Sequence, residues 1–374
     1  MVAAIHANHA GTSFPKAPGV ADALAGVLSG PPEVGIAALS QAHAASCAWL
    51  GIEAPERLLL TPGCTSALSV AVGDLPWQPG DVVVTSSLEH HALARPVERL
   101  VRDRGVVHEQ LAYAPGTPVD LDGLRAVLRR GNVRLVATTA ASNVTGEVLP
   151  VSEIAALAHE AGALYLLDAA QTLGVLPLDV GTVGADLLTF AGHKAVMAPH
   201  GIGGLWAAPH VLFESPSAVC ELGVDGRPAG ACSPFPGYCD VGSVNLAAAA
   251  GFGAAVAWHV EQGAAAGQRA CALAGRLRAA LAERAGCELL GGPQGPYTAT
   301  LSVRIAGLAL ERAEGHFAAA GITVRAAQHC APMALQALGA PEGTLRISFG
   351  ALNMDDDVDA VLAAVDATEG GAND

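Results

Sequence analysis

The sequence predicts an α/β fold: a large domain on a mostly parallel sheet, followed by a smaller C-terminal domain. Three observations predict it. From about residue 57, short apolar runs of strand length alternate with segments of helical period, the pattern of a parallel sheet covered on both faces. Of the 374 residues, 51% are apolar, enough for a sizeable core, yet no uninterrupted run reaches the roughly 20 residues of a membrane span. The rhythm breaks at 209–243 and then resumes as a second, shorter series.

RLLLT (57–61) reads as a strand and Cys64 to Val72 as the helix after it. VVVTSS (82–87) is a strand, followed by a helix from His91 to Arg104. VRLVATTAA (133–141), a helix from Val151 to Ala161, and ALYLLDAA (163–170) come next. DLLTF (186–190) and GIGGLWAA (201–208) continue the series. On such sheets, ligands sit beyond the carboxyl ends of the strands. Residues 209–243 read as a long loop, of a length that in compact domains often serves a function. An alanine-rich helical region spans about 245–285. The rest reads β-α-β-α-β-α: TATLSVRI, Glu311 to Ala320, ITVRA, Pro332 to Leu338, TLRISF, and Asp355 to Val365. This gives a large domain over 15–250 and a small one over 251–374 that also takes in 1–14.

A formal net charge of −15 argues against nucleic acid or an anionic membrane as a partner. The N-terminus lacks the basic start and apolar stretch of a signal peptide. Eight cysteines are scattered without a CxxC pair. That suits a reduced, cytoplasmic protein and gives no reason to expect a disulfide framework or a metal centre.

Among the 20 basic residues only Lys16 and Lys194 are lysine. Lys194 stands in AGHKAVMAPHGIGG, directly after an apolar strand. Asp168 ends another buried strand, and a carboxylate there needs a cation or a donor. It is either a helix cap or ion pair, or the partner of a protonated ring nitrogen. PGCTSA follows a strand and opens a helix: Thr65 and the free N–H groups of the first turn make an anion site, although Thr is also an ordinary residue there. The same helix start would lower the pKa of Cys64 and make it a competing nucleophile. His90 and His91 are adjacent after VVVTSS. Cys330 follows His329 between a strand and a helix, either as a small buried thiol or as a nucleophile on a loop. Arg346, in an apolar strand, requires a carboxylate from the protein or from a ligand. As a set, these residues fit pyridoxal phosphate, with a Schiff-base lysine, a pyridinium partner, a phosphate cup, a stacking ring and a carboxylate clamp.

GCTSAL, SLEHHALARP, SNVTGEVLP, LLDAAQTLGVLPLDV, FAGHKAVMAPHGIGGLW, GSVN, VRAAQHCAP and LRISFGALN occur in an order and spacing similar to one known family. The chain resembles the class V aminotransferase group of fold-type I pyridoxal-phosphate enzymes, and within it the cysteine desulfurases and selenocysteine lyases. The resemblance implies a mostly parallel seven-stranded sheet in the large domain with a smaller α+β C-terminal domain. It also implies that Lys194 holds the cofactor covalently and that Asp168 pairs with the pyridine nitrogen. Gln171 would contact the phenolic oxygen and His90 would stack on the ring. Thr65, His193 and the backbone of Cys64 would bind the phosphate. Ser243 would reach a neighbouring subunit's cofactor, implying a homodimer. Asn143 and Arg346 would hold the substrate carboxylate, and Cys330 would carry a persulfide. An amine is needed for the imine, and arginine stays protonated, so Lys194 persists in an arginine-biased chain.

The chain departs from the family pattern at several places. Ala191 stands where a Ser or Thr is usual, Cys64 where Thr is frequent, and NHAGTS (8–13) where DNAATT is common. The usual Arg-Gly-x-His segment is replaced near PPEVGIAALSQAH. The implied activity is a desulfurase converting L-cysteine to L-alanine, its sulfur passing through Cys330 to an acceptor protein. The alternative on the same scaffold is another carbon–sulfur or carbon–selenium lyase, either a selenocysteine lyase or a cysteine conjugate β-lyase. From other classes, a dinucleotide-dependent oxidoreductase would lack a Gly-rich strand–turn–helix, and a silent binding protein would not need the full residue set.

Overall fold

A computed structural model describes residues 5–213 and 244–369. A short strand, β1 (Ile5–His6), leads into α1 (Val20–Ser29) and α2 (Pro32–Leu50). The main sheet then takes β2 (Leu58–Thr61), β3 (Val82–Ser86), β4 (Val107–Leu111), β5 (Val133–Thr139), β6 (Leu164–Asp168), β7 (Leu187–Ala191) and β8 (Gly203–Ala207). Between these strands lie α3 (Cys64–Gly73), α4 (His91–Arg104), α5 (Leu121–Arg130), α6 (Val151–Glu160) and α7 (Val180–Val183). The spatial order is β2-β8-β7-β6-β5-β3-β4. Strands β3 to β7 are parallel to their neighbours, and β8 alone runs antiparallel, between β7 and β2. The predicted seven-stranded, mostly parallel sheet is therefore present. The central strands are apolar on both faces because helices cover both: every residue of β7 and β8 is buried.

α8 (Leu246–Trp258) and α9 (Ala264–Ala282) follow, joined by a π-helical turn over His259–Gly263. α1 and α2 pack on α8. The second sheet uses β9 (Cys287–Leu289) and β10 (Thr300–Ile305). After α10 (Leu310–Ala319) come β11 (Ile322–Thr323), β12 (Arg325–Ala327), α11 (Pro332–Ala337), β13 (Thr344–Ser348) and α12 (Asp355–Glu369). Its order is β12-β13-β10-β9, all antiparallel. The segment ITVRA is divided at Val324. Ile322 and Thr323 pair with the N-terminal β1, and Arg325–Ala327 pair with β13.

Two buried apolar clusters result. The larger fills both faces of the main sheet and includes Tyr165, Phe190 and, from α8, Phe252. The smaller gathers Leu277 from α9, Leu301, Phe317, Ile347 and Val361. The helical run after residue 245 thus serves both, α8 the first and α9 the second. Most of the expected long loop, 214–243, lies outside the described residues.

The N-terminal segment ties the two sheets together. β1 joins β11, while Ala10 N donates to Ser348 Oγ at 2.9 Å and Ser13 N to His193 O at 2.9 Å. A few residues therefore reach the end of β13 and the loop after β7.

Candidate active site

The carboxyl ends of β3, β5, β6 and β7 open into a cavity of about 990 Å³. Its floor is built by the strands. Asp168 is the last residue of β6, in register with Thr139 on β5 and Thr189 on β7. Its Oδ1 accepts from Ala170 N at 2.9 Å and from the Cys64 thiol at 3.4 Å. Among the described residues Oδ2 has no hydrogen-bond partner. Burial raises the Asp168 carboxyl above its usual range, opposed by the Lys194 amine. Lys194 comes from the loop after β7 and makes no ion pair among the described residues. Burial lowers its pKa, against the pull of Asp168.

The next wall is the start of α3. Gly63 is its N-cap, no side chain caps the helix, and Ala67 N is the first amide bonded back, to Gly63 O. The free amides of Cys64, Thr65 and Ser66 therefore open toward the cavity beside Gly63, where an added Cβ would meet nothing within 4 Å. These amides and the positive end of the helix dipole favour an anion. Across from them, His193 stacks on His200 at 4.7 Å, its pKa pushed down to about 4 by burial.

His90 caps α4. Its Nδ1 accepts from Ala92 N at 3.0 Å, so the neutral ring carries its proton on Nε2. Burial and the nearby Lys194 amine push its pKa down to about 4, and the ring is neutral at physiological pH.

The upper wall is held by side chains. Arg346, 4% exposed, donates to Asn143 O at 2.9 Å and to Asn8 Oδ1 at 3.2 Å. Among the described residues no carboxylate pairs with it. Asn143 Nδ2 donates to His329 O at 2.8 Å, and His91 N donates to Cys330 O at 2.9 Å. His329 Nε2 bonds Thr344 Oγ1 at 2.9 Å and Thr344 O at 3.0 Å. The backbone these contacts hold is unusual: His329 and Cys330 both lie in the left-handed region, with φ 52° and 54°. Such a conformation is costly for a residue with a Cβ and persists where the surroundings enforce it. Cys330 is exposed at the cavity mouth.

The fold thus brings Cys64, Thr65, His90, Asn143, Asp168, Gln171, His193, Lys194, Cys330 and Arg346 to one cavity. Ser243 lies outside the described residues. Gln171 donates its amide to Ala10 O at 3.1 Å, linking it to the N-terminal segment. One expectation is corrected. The Cys64 thiol is not activated by the start of α3: burial and the Asp168 carboxylate push its pKa well up, and the thiol acts as a donor. Burial outweighs the helix terminus because the sulfur sits behind the first turn, against Asp168.

Sequence reasoning missed the N-terminal contribution. His193 O accepts from Ser13 N, from Thr12 Oγ1 at 3.0 Å, from Ser13 Oγ at 3.1 Å and from Lys16 Nζ at 3.1 Å. Lys16, its pKa pushed down by burial to about 8, is therefore also part of the lysine loop's support. The scarcity of lysine was the one sequence signal that pointed to it.

Pyridoxal phosphate fits this donor set. Buried Asn143 Oδ1, His193 Nδ1 and Arg346 Nε have no partner among the described residues. Each such atom costs about 1–3 kcal/mol unless a ligand satisfies it. Together with an unpaired lysine amine, a carboxylate with one free oxygen and an uncapped helix start, they match a phosphorylated, cationic ring with a carbonyl and a carboxylate-bearing substrate.

A buried lysine with no ion pair among the described residues thus shares a cavity at the carboxyl ends of a mostly parallel sheet with a buried aspartate and an uncapped helix start. The family model for aminotransferase class-V matches residues 34–361, and the chain belongs to that family. A relative from Pseudomonas aeruginosa, named a probable cysteine desulfurase, is 34% identical over 347 residues, covering 90% of this chain and 84% of the relative. The solved cysteine desulfurase CsdA of Escherichia coli, in an S-sulfonic acid form, superposes with a TM-score of 0.87 at 26% identity over 98% of this chain and 95% of that one. The apo structure of a cysteine desulfurase from Thermococcus onnurineus NA1 shares the fold, with a TM-score of 0.88 at 24% identity over 98% and 95% of the two chains.

Proposed function

We propose that this chain is a pyridoxal-phosphate-dependent cysteine desulfurase that converts L-cysteine to L-alanine and leaves the sulfur as a persulfide on Cys330. The observation that carries the proposal is one cavity shared by a lysine amine and a buried arginine that make no ion pair among the described residues, and by an exposed cysteine. Kinship to curated cysteine desulfurases supports it.

Bound to Lys194, the cofactor withdraws electrons from the substrate's α-carbon. Asp168 Oδ2 would keep the pyridine nitrogen protonated, and Thr65, His193 and the amides of α3 would hold the phosphate. His90 would offer a neutral ring to the cofactor face and an Nε2 proton to the substrate. Gln171 would use its second amide hydrogen toward the phenolic oxygen. The substrate carboxylate pairs with Arg346 and Asn143. Arg95 and Arg325 also line the cavity, where Asp168 supplies the carboxylate, so the mouth draws anions into a chain of net charge −15.

Lys194 would take the α-proton on Nζ. Burial favours its neutral form, which makes it a usable base. The Cys330 thiolate attacks the substrate sulfur. A sulfur–sulfur bond forms as the carbon–sulfur bond breaks, and the bonding pair stays with the β-carbon, which gains a proton; the α-carbon regains the proton held on Lys194 Nζ, and alanine leaves. An acceptor protein then removes the sulfur. The thiols of Cys47, Cys64, Cys271 and Cys330, free among the described residues, suit a reducing, cytoplasmic setting. Ser243, the long loop and a homodimeric assembly belong to the proposal.

Product analysis with L-cysteine tests it. The proposal expects alanine, a persulfide on Cys330, and borohydride reduction fixing the cofactor to Lys194. Pyruvate and sulfide in place of alanine would make it a β-lyase. A label on Lys16 would overturn the site itself.

A further inference from the structure

A buried group outside the cavity reaches the lysine loop from behind. Between α8 and α9 the chain makes one π-helical turn, His259–Gly263. Such single wide turns in helices are frequent at functional places. His259 is 4% exposed; its ring stacks on Trp49 (5.2 Å between centroids, 24°) and meets Trp258 edge-on (4.9 Å, 89°). Its Nε2 lies 3.0 Å from Ala195 O. Its Nδ1 has no partner and faces Gly263, where a Cβ would come within 2.5 Å. With Nδ1 closed off by backbone, the ring carries one proton, on Nε2, and donates it to Ala195. Burial agrees, pushing the His259 pKa down to about 4.

Ala195 follows Lys194, and the peptide carbonyls around the lysine are each held from a different direction. The N-terminal segment holds His193 O, and Met197 N donates to Lys194 O at 2.8 Å. Ala195 O is held by His259 and packs on Gly174, where a Cβ would lie 2.7 Å away. The base of the lysine side chain is thus fixed between the cavity side and the helix layer. His259 itself is not among the residues that line the cavity.

We infer that His259 is a positioning residue for Lys194, and that its Nε2–H bond to the Ala195 carbonyl fixes the segment from which the lysine amine reaches the cofactor. The inference rests on the proposal that Lys194 binds pyridoxal phosphate. A ring that merely filled the gap beside Trp49 would show the same burial and stacking, so the test separates the hydrogen bond from the ring.

His259→Phe keeps a stacking ring and removes the donor, while His259→Gln keeps a donor and removes the ring. Two properties are read on the holoproteins: the rate of pyridoxal phosphate release on dilution, and the pH midpoint of the cofactor's visible band. The groups that face the Lys194 amine, Asp168, Cys64, Arg346 and Cys330, are unchanged in both variants. In His259→Phe, release should quicken about five- to tenfold, the scale of one buried hydrogen bond, and the midpoint should move. His259→Gln should stay near wild type in both, whatever it loses in melting temperature. The reverse pattern, or wild-type values in both variants, would overturn the inference. If His259→Phe does not fold, His259→Leu takes its place with the same expectation. Wild-type protein that takes no cofactor on Lys194 would overturn the functional proposal and this inference with it.

Discussion

The floor of the cavity and its mouth each place a cysteine, by different means. Cys64 sits in the first turn of a helix behind a strand end, 8% exposed, and its thiol donates to Asp168. Cys330 sits on a loop held by side chains, exposed, on a backbone in the left-handed region. Parallel strands position the floor, where register sets Asp168 beside Thr139 and Thr189 with no freedom to shift alone. The mouth is positioned by single bonds from Asn143, His91 and Thr344. A rigid floor suits a group that must hold a cofactor in one orientation, and a bonded loop suits one that must deliver an atom and be reached by a partner. The thiol for sulfur chemistry is therefore expected at the mouth.

Cys330→Ser breaks the comparison most directly. Alanine formation should fall by at least about a thousandfold, since removing an enzyme's nucleophile leaves only binding and electrostatic catalysis. Cofactor loading, read from the visible band, should be unchanged. Alanine at the wild-type rate, or a persulfide mapped to Cys64 by mass spectrometry, would place the chemistry on the floor.

Asn143→Ala should have a smaller effect. It removes the donor to His329 O and leaves that buried carbonyl without its bond, a loss of about 1–3 kcal/mol. It also removes a proposed contact to the substrate carboxylate. We expect turnover to fall about tenfold or more, with faster alkylation of Cys330 by iodoacetamide as the loop loosens. Unchanged alkylation would mean that the remaining bonds suffice to hold the loop.

The smallest effect is thermodynamic. Burial holds His329 at about 3, while the unfolded ring titrates near 6.5. As pH falls below 6.5, the unfolded chain binds a proton that the folded ring refuses. Stability from this group is therefore complete above pH 6.5 and declines as pH drops toward the folded value, by up to about 1.4 kcal/mol per unit. His329→Gln should flatten the fall in melting temperature between pH 6.5 and 4.5. A slope identical to wild type would mean that acid opens the floor, with His90 and His193, before the mouth.

The floor was legible in the sequence because strand ends are. One apolar run per strand, closed by a polar residue, marks Asp168, His90 and the lysine loop, and the helix start after β2 marks Thr65. Charge and burial behind that start were not legible, and Cys64 was misjudged for that reason. α2 escaped notice because its alanine-rich residues carry no sharp apolar stripe, and α1, β4 and α5 were not read either. ITVRA read as one strand because nothing in five residues says that its halves pair with segments far apart in the chain. The supports of the site were hidden by distance: Ala10 meets Ser348 across 338 positions, and His259 meets Ala195 across 64. Side-chain bonds of such span leave no period to read.

The N-terminal segment has a practical consequence. Residues 5–16 contribute a strand to β11, a carbonyl to Gln171, an acceptor to Arg346 and several donors to His193 O. Digesting the first dozen residues would remove the supports of Gln171 and Arg346 and part of those of His193 O, while taking only Ala7 from the buried members of the two hydrophobic clusters. On the proposed function, protein lacking these residues should still melt cooperatively yet hold less pyridoxal phosphate, read from its visible band. Purification schemes that judge this protein by solubility alone would select for it.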